Sequence, residues 1–199
     1  MASLPVEAVD LGVIGDRRED VEHRLADAAR SCDLVITSGG ASRGEEDHMV
    51  RTLAEKGELH AWQIAVKPGR PLGFGRLEST RMLLLPGNPV AVMVCFLLYA
   101  MPLIARLGGG RPREPRRYQL PADFEITRRK TGRREFLRGV LSEERGRCVV
   151  GKYPRDGSGL ISSLRAADGL IELVEPITRV ARNDMVAFIP FTEFGLAAR

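Results

Sequence analysis

The spacing of apolar and polar positions divides the chain into two stretches with different periods. In the first, short β-branched or apolar runs alternate with helix-like segments. "VEAVDLGVI", residues 6–14, reads as a strand. From Asp16, which stands three residues before Glu19 in a capping-box-like spacing, to Ala29 the pattern is helical, with Val21, Leu25 and Ala28 on one face. "DLVIT" (33–37) has the makeup of a strand buried on both faces. A helix from about Asp47 to Lys56, a strand "AWQIAV" (61–66), a loop "KPGRPLGFG" (67–75) and a strand "MLLL" (82–85) follow. "PGN" then leads into an uncharged run, "PVAVMVCFLLYAMPLIA" (89–105), with Asn88 placed as N-cap and Pro89 at the first helical position. That run is shorter than the ~20 residues of a spanning helix and contains Pro102, so it is expected to be a core or interface helix, not a membrane span.

At "GGGRPREPRR" (108–117) apolar residues vanish and a linker is expected. Beyond it the period shortens. "YQLPADFEI", "REFLRGVL", "RCVVGKY", "GLIELV" and "MVAFIP" are strand-length pieces between turn-rich segments. The expected fold class is therefore α/β, an open, mostly parallel sheet with helices on both faces, followed by a small all-β domain, a sandwich or barrel. The expected domains are 1–107 and 118–199, joined by the linker 108–117.

Composition narrows the function classes only modestly. The formal net charge of +4 suits anionic small molecules as well as nucleic acid. Aromatic residues, at 6%, are too few for a base-stacking surface. Basic runs at Arg116–Arg117, Arg128–Arg129–Lys130 and Arg133–Arg134 raise the nucleic-acid question, but with no groove-reading helix they read as solvated strand faces, and no nucleic-acid partner is expected. Cys32, Cys95 and Cys148 are far apart and odd in number, which fits a reducing compartment. The histidines have no metal-ligand spacing, and no signal peptide is visible, so a cytoplasmic location is expected.

The candidate chemistry lies in the loops at strand ends, where open α/β sheets bind ligands. In "SGGASRGEED" (38–47), Ser38, Gly39 and Gly40 offer backbone amides for an anion, and Ser42 adds a hydroxyl. Asp47, beside Glu45 and Glu46, has the chemistry to hold Mg²⁺ next to a phosphate. The same residues also make an ordinary turn with an acidic first helical turn. "KPGRP" sets Lys67 and Arg70 on a loop stiffened by Pro68 and Pro71, suited to a tetrahedral oxyanion or simply to solvent. "LPGNP" reads first as strand-to-helix punctuation around Asn88. Arg138 and Ser158 each sit near the end of a strand-like piece of the second domain and are candidates for the same anion, or a surface arginine and a turn serine.

Five of these segments in order, "DLVITSGGASRGEEDH", "VKPGRPLGFG", "LPGNPVAVMVCF", "GRREFLRGVL" and "DGSGLISSLRAADGLIEL", resemble the molybdopterin molybdenumtransferase family (MoeA-like, with the gephyrin E domain as eukaryotic relative). The first three also occur, less completely, in molybdopterin adenylyltransferases; the last two belong to a C-terminal β domain which those lack. The resemblance covers essentially the whole chain but only the C-terminal half of the family pattern. Two N-terminal domains and an initial strand with a Thr-Gly-Asp-Glu type motif have no counterpart in this sequence, so the α/β domain is expected to be N-terminally truncated.

The resemblance implies a molybdopterin-binding-like fold and insertion of molybdate into adenylylated molybdopterin, with Mg²⁺ as cofactor and AMP released. It implies a homodimer with no membrane partner. Ser38, Gly39, Gly40 and Ser42, with Asn88, would bind substrate; Asp47 would be the metal-associated catalytic carboxylate and Asp16 a second functional acid. Lys67 and Arg70 would hold the molybdate or substrate anion, where the family usually has lysine at the position of Arg70. Arg138 and Ser158 match oxyanion-contacting positions. The alternative is a folded fragment of such an enzyme that binds or dimerises without chemistry.

Overall fold

The computed structural model describes Leu4 and residues 6–40, 48–154 and 161–196. The chain forms two compact units. The first comprises residues 1–64, 71–87 and 95–113; the second comprises 65–70, 88–94 and 114–199.

The first unit is built on α1 (Arg18–Ser31), β1 (Leu34–Ser38), α2 (His48–Lys56), β2 (Glu58–Trp62), β4 (Gly73–Leu77) and β5 (Thr80–Leu85). Its four-stranded sheet has the order β1-β5-β4-β2. β1 and β5 run parallel, whereas β4 pairs antiparallel with both β5 and β2. The class is the expected α/β, but the sheet is mixed instead of mostly parallel, because a tight turn at residues 78–79 joins β4 to β5 as a hairpin. β1 buries only Val35 fully, fewer positions than expected. Val21, Leu25, Ala28 and Ala29 of α1 fall at i, i+4, i+7 and i+8, so one stripe of the helix is apolar and packs with Val35, Leu53, Leu77, Met82 and Leu84. Full burial of a side chain such as Leu25 contributes about 1.5–3 kcal/mol. The buried Thr80 hydroxyl lies 2.7 Å from the carbonyls of both Ala29 and Cys32, where α1 ends and its last carbonyls need donors.

Four expectations about local structure change. Residues 6–14 form no strand: Val9 and Val13 are 61% and 99% exposed, and no described strand pairs with the segment. The Asp10 carboxylate instead accepts the Gly12 amide, at 2.8 Å, in a local turn. Asp16 is not the N-cap of α1; Arg17 occupies that position without a side-chain cap bond, and Asp16 is exposed. The run 61–66 is broken at Gln63, whose φ is +65°, so β2 ends at Trp62 and a separate strand β3 (Val66–Lys67) joins the other unit. The loop read over 67–75 ends early, since Gly73–Gly75 belong to β4. A Cβ on Gly75 would lie 2.2 Å from the Glu58 carbonyl, so only glycine lets β2 and β4 close here.

Helix α3 (Pro89–Cys95) continues through a π-helical stretch, Phe96–Ala100, into α4 (Met101–Leu107). The π segment ends two residues before Pro102, which has no N–H for the regular ladder. The 19 residues are long and apolar enough to cross a membrane by length and composition, a test that the core helix of a soluble protein also passes. Val90, Val94, Cys95, Leu97 and Ala100 are buried within the fold. Burial pushes the Cys95 thiol up to about 12.

An exposed charge cluster links α1 and α2. Glu22 meets Arg18 at 2.6 Å and also pairs with Lys56, while Arg18 reaches Glu55. Lys56 first, then Arg18, lower the Glu22 carboxyl from 4.5 to about 2. A carboxyl depressed by folding adds stability above its ordinary titration range and loses it as pH falls toward the folded value. Glu22→Gln is therefore expected to flatten the acid limb of a stability–pH profile between about pH 4.5 and 2, measured by urea unfolding at low salt. A mutant profile parallel to the original over that window would remove this account.

The second unit is a β domain: β6 (Tyr118–Pro121), β7 (Arg134–Glu144), β8 (Arg147–Lys152), β9 (Gly169–Leu173) and β10 (Met185–Pro190) coincide with the five expected strand pieces. The sheet has the order β3-β7-β9-β10-β6, with β8 also on β7. β9 is central and buried at all five positions. A short helix, α5 (Ile161–Ala166), stands where no helix was expected. The core gathers Ala122, Val150, Ile171, Leu173, Val180, Val186 and Phe188.

Candidate functional site

The second unit contains a cavity of about 590 Å³. Its described lining includes seven cationic side chains, Lys67, Arg128, Arg129, Lys130, Arg133, Arg138 and Lys152, and one carboxylate, Glu135. Pro68, Ile126, Phe136, Leu137 and Tyr153 complete it. Such an excess of positive charge on partly apolar walls suits a ligand with several negative oxygens.

Strand pairing builds one wall. β3 lies parallel to β7, with Val66 opposite Arg134 and Lys67 opposite Glu135. The Arg134 amide donates to the Ala65 carbonyl at 2.9 Å, extending that pairing. Lys67 and Glu135 thus meet as neighbours, Nζ to Oε1 at 2.6 Å. The other Glu135 oxygen accepts from Arg129 Nε at 2.9 Å. Arg129 is buried, and its guanidinium also donates to the carbonyls of Val174, at 3.0 Å, Ile177, at 2.6 Å, and Leu173, at 3.1 Å, and to that of Arg133. A guanidinium with its N–H fork directed at four carbonyls and a carboxylate is held in one orientation.

Arg138, 8% exposed, comes from the next stretch of β7. Its guanidinium carbon lies 5.9 Å from the centre of the Tyr153 ring, and its carbonyl accepts the Tyr153 amide at 2.9 Å. Arg128, Lys130 and Arg133 bring further charge from the segment between β6 and β7.

Of the residues singled out in the sequence, Lys67 and Arg138 line this cavity together. Arg70 is exposed and is not part of the lining. Ser38, Gly39 and Gly40 belong to the first unit, at the carboxyl end of β1. Gly39 and Gly40 take φ of +89° and +71°, conformations that glycine adopts readily. The Gly39 amide donates to the Leu85 carbonyl at 3.1 Å. The Asn88 side-chain oxygen accepts the amides of Val90 and Ala91, at 3.1 and 3.2 Å, and so fills the N-cap role. Ser42, Asp47 and Ser158 lie outside the described residues. Among the described residues, no group of three His, Cys, Asp or Glu side chains is arranged to hold a metal ion.

Sequence reasoning missed Glu135, Lys152 and Tyr153, and it read the run Arg128–Arg129–Lys130 as a solvated face. Two of that run are exposed, whereas Arg129 is buried.

Fold and cavity define an α/β unit joined to a β unit that carries a pocket lined mainly by cationic side chains. The chain belongs to the family described as the probable molybdopterin binding domain, whose profile matches residues 1–106; the profile for the MoeA C-terminal region (domain IV) matches residues 119–191. The resemblance drawn from the five motifs is borne out. A molybdopterin molybdenumtransferase from Haemophilus influenzae is 35% identical over 193 residues, 96% of this chain and 48% of its own length. Molybdopterin molybdenumtransferase 2 from Mycobacterium tuberculosis is 32% identical, over 77% of this chain and 38% of its own. The crystal structure of a molybdopterin biosynthesis MoeA protein from Pyrococcus horikosii superposes with a TM-score of 0.73 at 27% identity, covering 90% of this chain and 42% of that one. The chain thus spans about half the length, or less, of these curated relatives.

Proposed function

We propose that this chain acts in molybdenum cofactor biosynthesis as a molybdopterin molybdenumtransferase, inserting molybdate into adenylylated molybdopterin with release of AMP. The observation that carries the reading is the cavity in which Lys67 and buried Arg138 stand together among five other cations. Molybdate and a phosphoanhydride are both oxyanions, and both are recognised by charge-assisted hydrogen bonds from lysine and arginine. Lys67 and Arg138 hold the molybdate oxygens. The remaining cations offset charge as the phosphoanhydride breaks, so catalysis is positional and electrostatic.

Mg²⁺ belongs to the proposal as a cofactor that would neutralise phosphate charge. Its expected donors, Asp47 with Glu45 and Glu46, lie outside the described residues, and no step above passes through the metal. Asp16 keeps its proposed role as a second functional acid, and Ser42 and Ser158 theirs as substrate contacts. A homodimer in the cytoplasm completes the reading.

The alternative is a folded fragment of such an enzyme that binds or dimerises without chemistry. The purified 199-residue chain, supplied with adenylylated molybdopterin, molybdate and Mg²⁺, decides between them. Molybdate-dependent AMP release is expected. Binding without AMP release would select the alternative, and no binding of either substrate would overturn both.

A further inference from the structure

The anion reading leaves one charged group of the cavity unexplained. Glu135 is the one carboxylate among the described lining residues. A negative side chain in the wall of an anion site opposes ligand affinity, so its placement calls for a reason. The two oxygens of Glu135 are held unequally. Oε2 faces Arg129, whose side chain is 5% exposed and bound to backbone carbonyls as well. Oε1 faces Lys67, whose side chain is 57% exposed, on a flexible stem. Only the Lys67 side of this bridge can open without disturbing buried structure.

We propose that Glu135 is a positioning residue and a built-in counter-ion: it aims the Lys67 ammonium along the cavity wall and competes with the ligand oxyanion for it. Arg129 fixes the carboxylate, and pairing between β3 and β7 fixes the backbone of Lys67, so the ammonium is presented at one place. An oxyanion that enters must draw Lys67 partly away from Glu135 or share its donors. Ground-state affinity is thereby held down. Affinity common to substrate and transition state lowers KM without raising kcat, and tight retention of product would slow release.

The inference rests on the anion reading of the cavity, and molybdate alone is the probe. Two variants of the full chain isolate the carboxylate. Glu135→Gln keeps its shape and an acceptor for Arg129 but removes the charge. Glu135→Asp keeps the charge beside Arg129 but, one methylene shorter, no longer spans to Lys67. Each is expected to bind molybdate roughly three- to tenfold more tightly by calorimetry, the scale of one partly exposed ion pair. In a Lys67→Met background the same two changes are expected to alter affinity less than about twofold, because the shared ammonium is gone. Thermal melts confirm folding; should Glu135→Gln fail to fold, Glu135→Asp in the two backgrounds carries the test. Unchanged or weaker binding in the folded variants, or equal tightening in the Lys67→Met background, would overturn the inference while leaving the anion site standing. No molybdate binding by the unaltered chain would overturn the anion reading and this inference with it.

Discussion

Replacing Arg138 by alanine is expected to weaken molybdate binding about 10- to 100-fold, with AMP release falling at least as far. A hydrogen bond between charged groups contributes about 1.5–3 kcal/mol, and each 1.4 kcal/mol is about tenfold in affinity. The setting of Arg138 places it in the upper part of that range. It is 8% exposed, so water screens it poorly, and its guanidinium is held against the Tyr153 ring before any ligand arrives. Arg138→Lys is expected to recover only part of the loss, since an ammonium keeps the charge but has neither the planar fork nor the same stacking on tyrosine. Calorimetric titration with molybdate measures both variants, and a melt shows whether the fold is kept. Affinity within about twofold of the original in a folded Arg138→Ala protein would take the cavity out of the anion site.

The largest effect on stability is expected at Arg129. Arg129→Met leaves Glu135 buried without its inner partner and strips donors from the carbonyls of Leu173, Val174 and Ile177. Breaking a buried pair from one side costs about 3–5 kcal/mol, a large share of the roughly 5–15 kcal/mol that holds a typical domain together. Urea unfolding is expected to show a loss of that size for Arg129→Met and a clearly smaller one for Arg134→Met, whose partners Glu172 and Glu175 leave its side chain 39% exposed. Equal losses at the two positions would mean that burial does not set the strength of these pairs. Glu172 also accepts from Arg117 at 2.5 Å, so it keeps one partner when Arg134 is removed.

The strands of the β unit were legible because each is a compact run of β-branched and aromatic residues between turns, and β6 to β10 fall where that pattern puts them. The segment 6–14 has a similar makeup and is no strand. Residue type supplies a propensity, but a strand exists only where a neighbour completes its ladder. The break at Gln63 was equally hidden, since nothing in "AWQIAV" announces a positive φ at a glutamine. Of the cavity's cations, Lys67 was legible as a cation at a strand end, whereas Arg138, read near the end of a strand-like piece, lies inside β7. Glu135 and Arg129 were not legible, because what gives them meaning lies far off in sequence: a lysine 68 positions earlier in one case and carbonyls 44 to 48 positions later in the other. Asn88 was legible in both its roles, and the structure fills the capping one.

The annexed strand β3 has a consequence for how such a pocket can be inherited. Scission in the Gly/Pro/Arg stretch after Leu107 looks like a clean way to separate two modules. It would leave the downstream piece with Arg134 and Glu135 of β7 stripped of their β3 partners and no lysine opposite Glu135. The pocket is therefore not portable: genetic shuffling of the β half alone would carry off an incomplete receptor and expose a hydrogen-bonding edge ready to pair with a stranger.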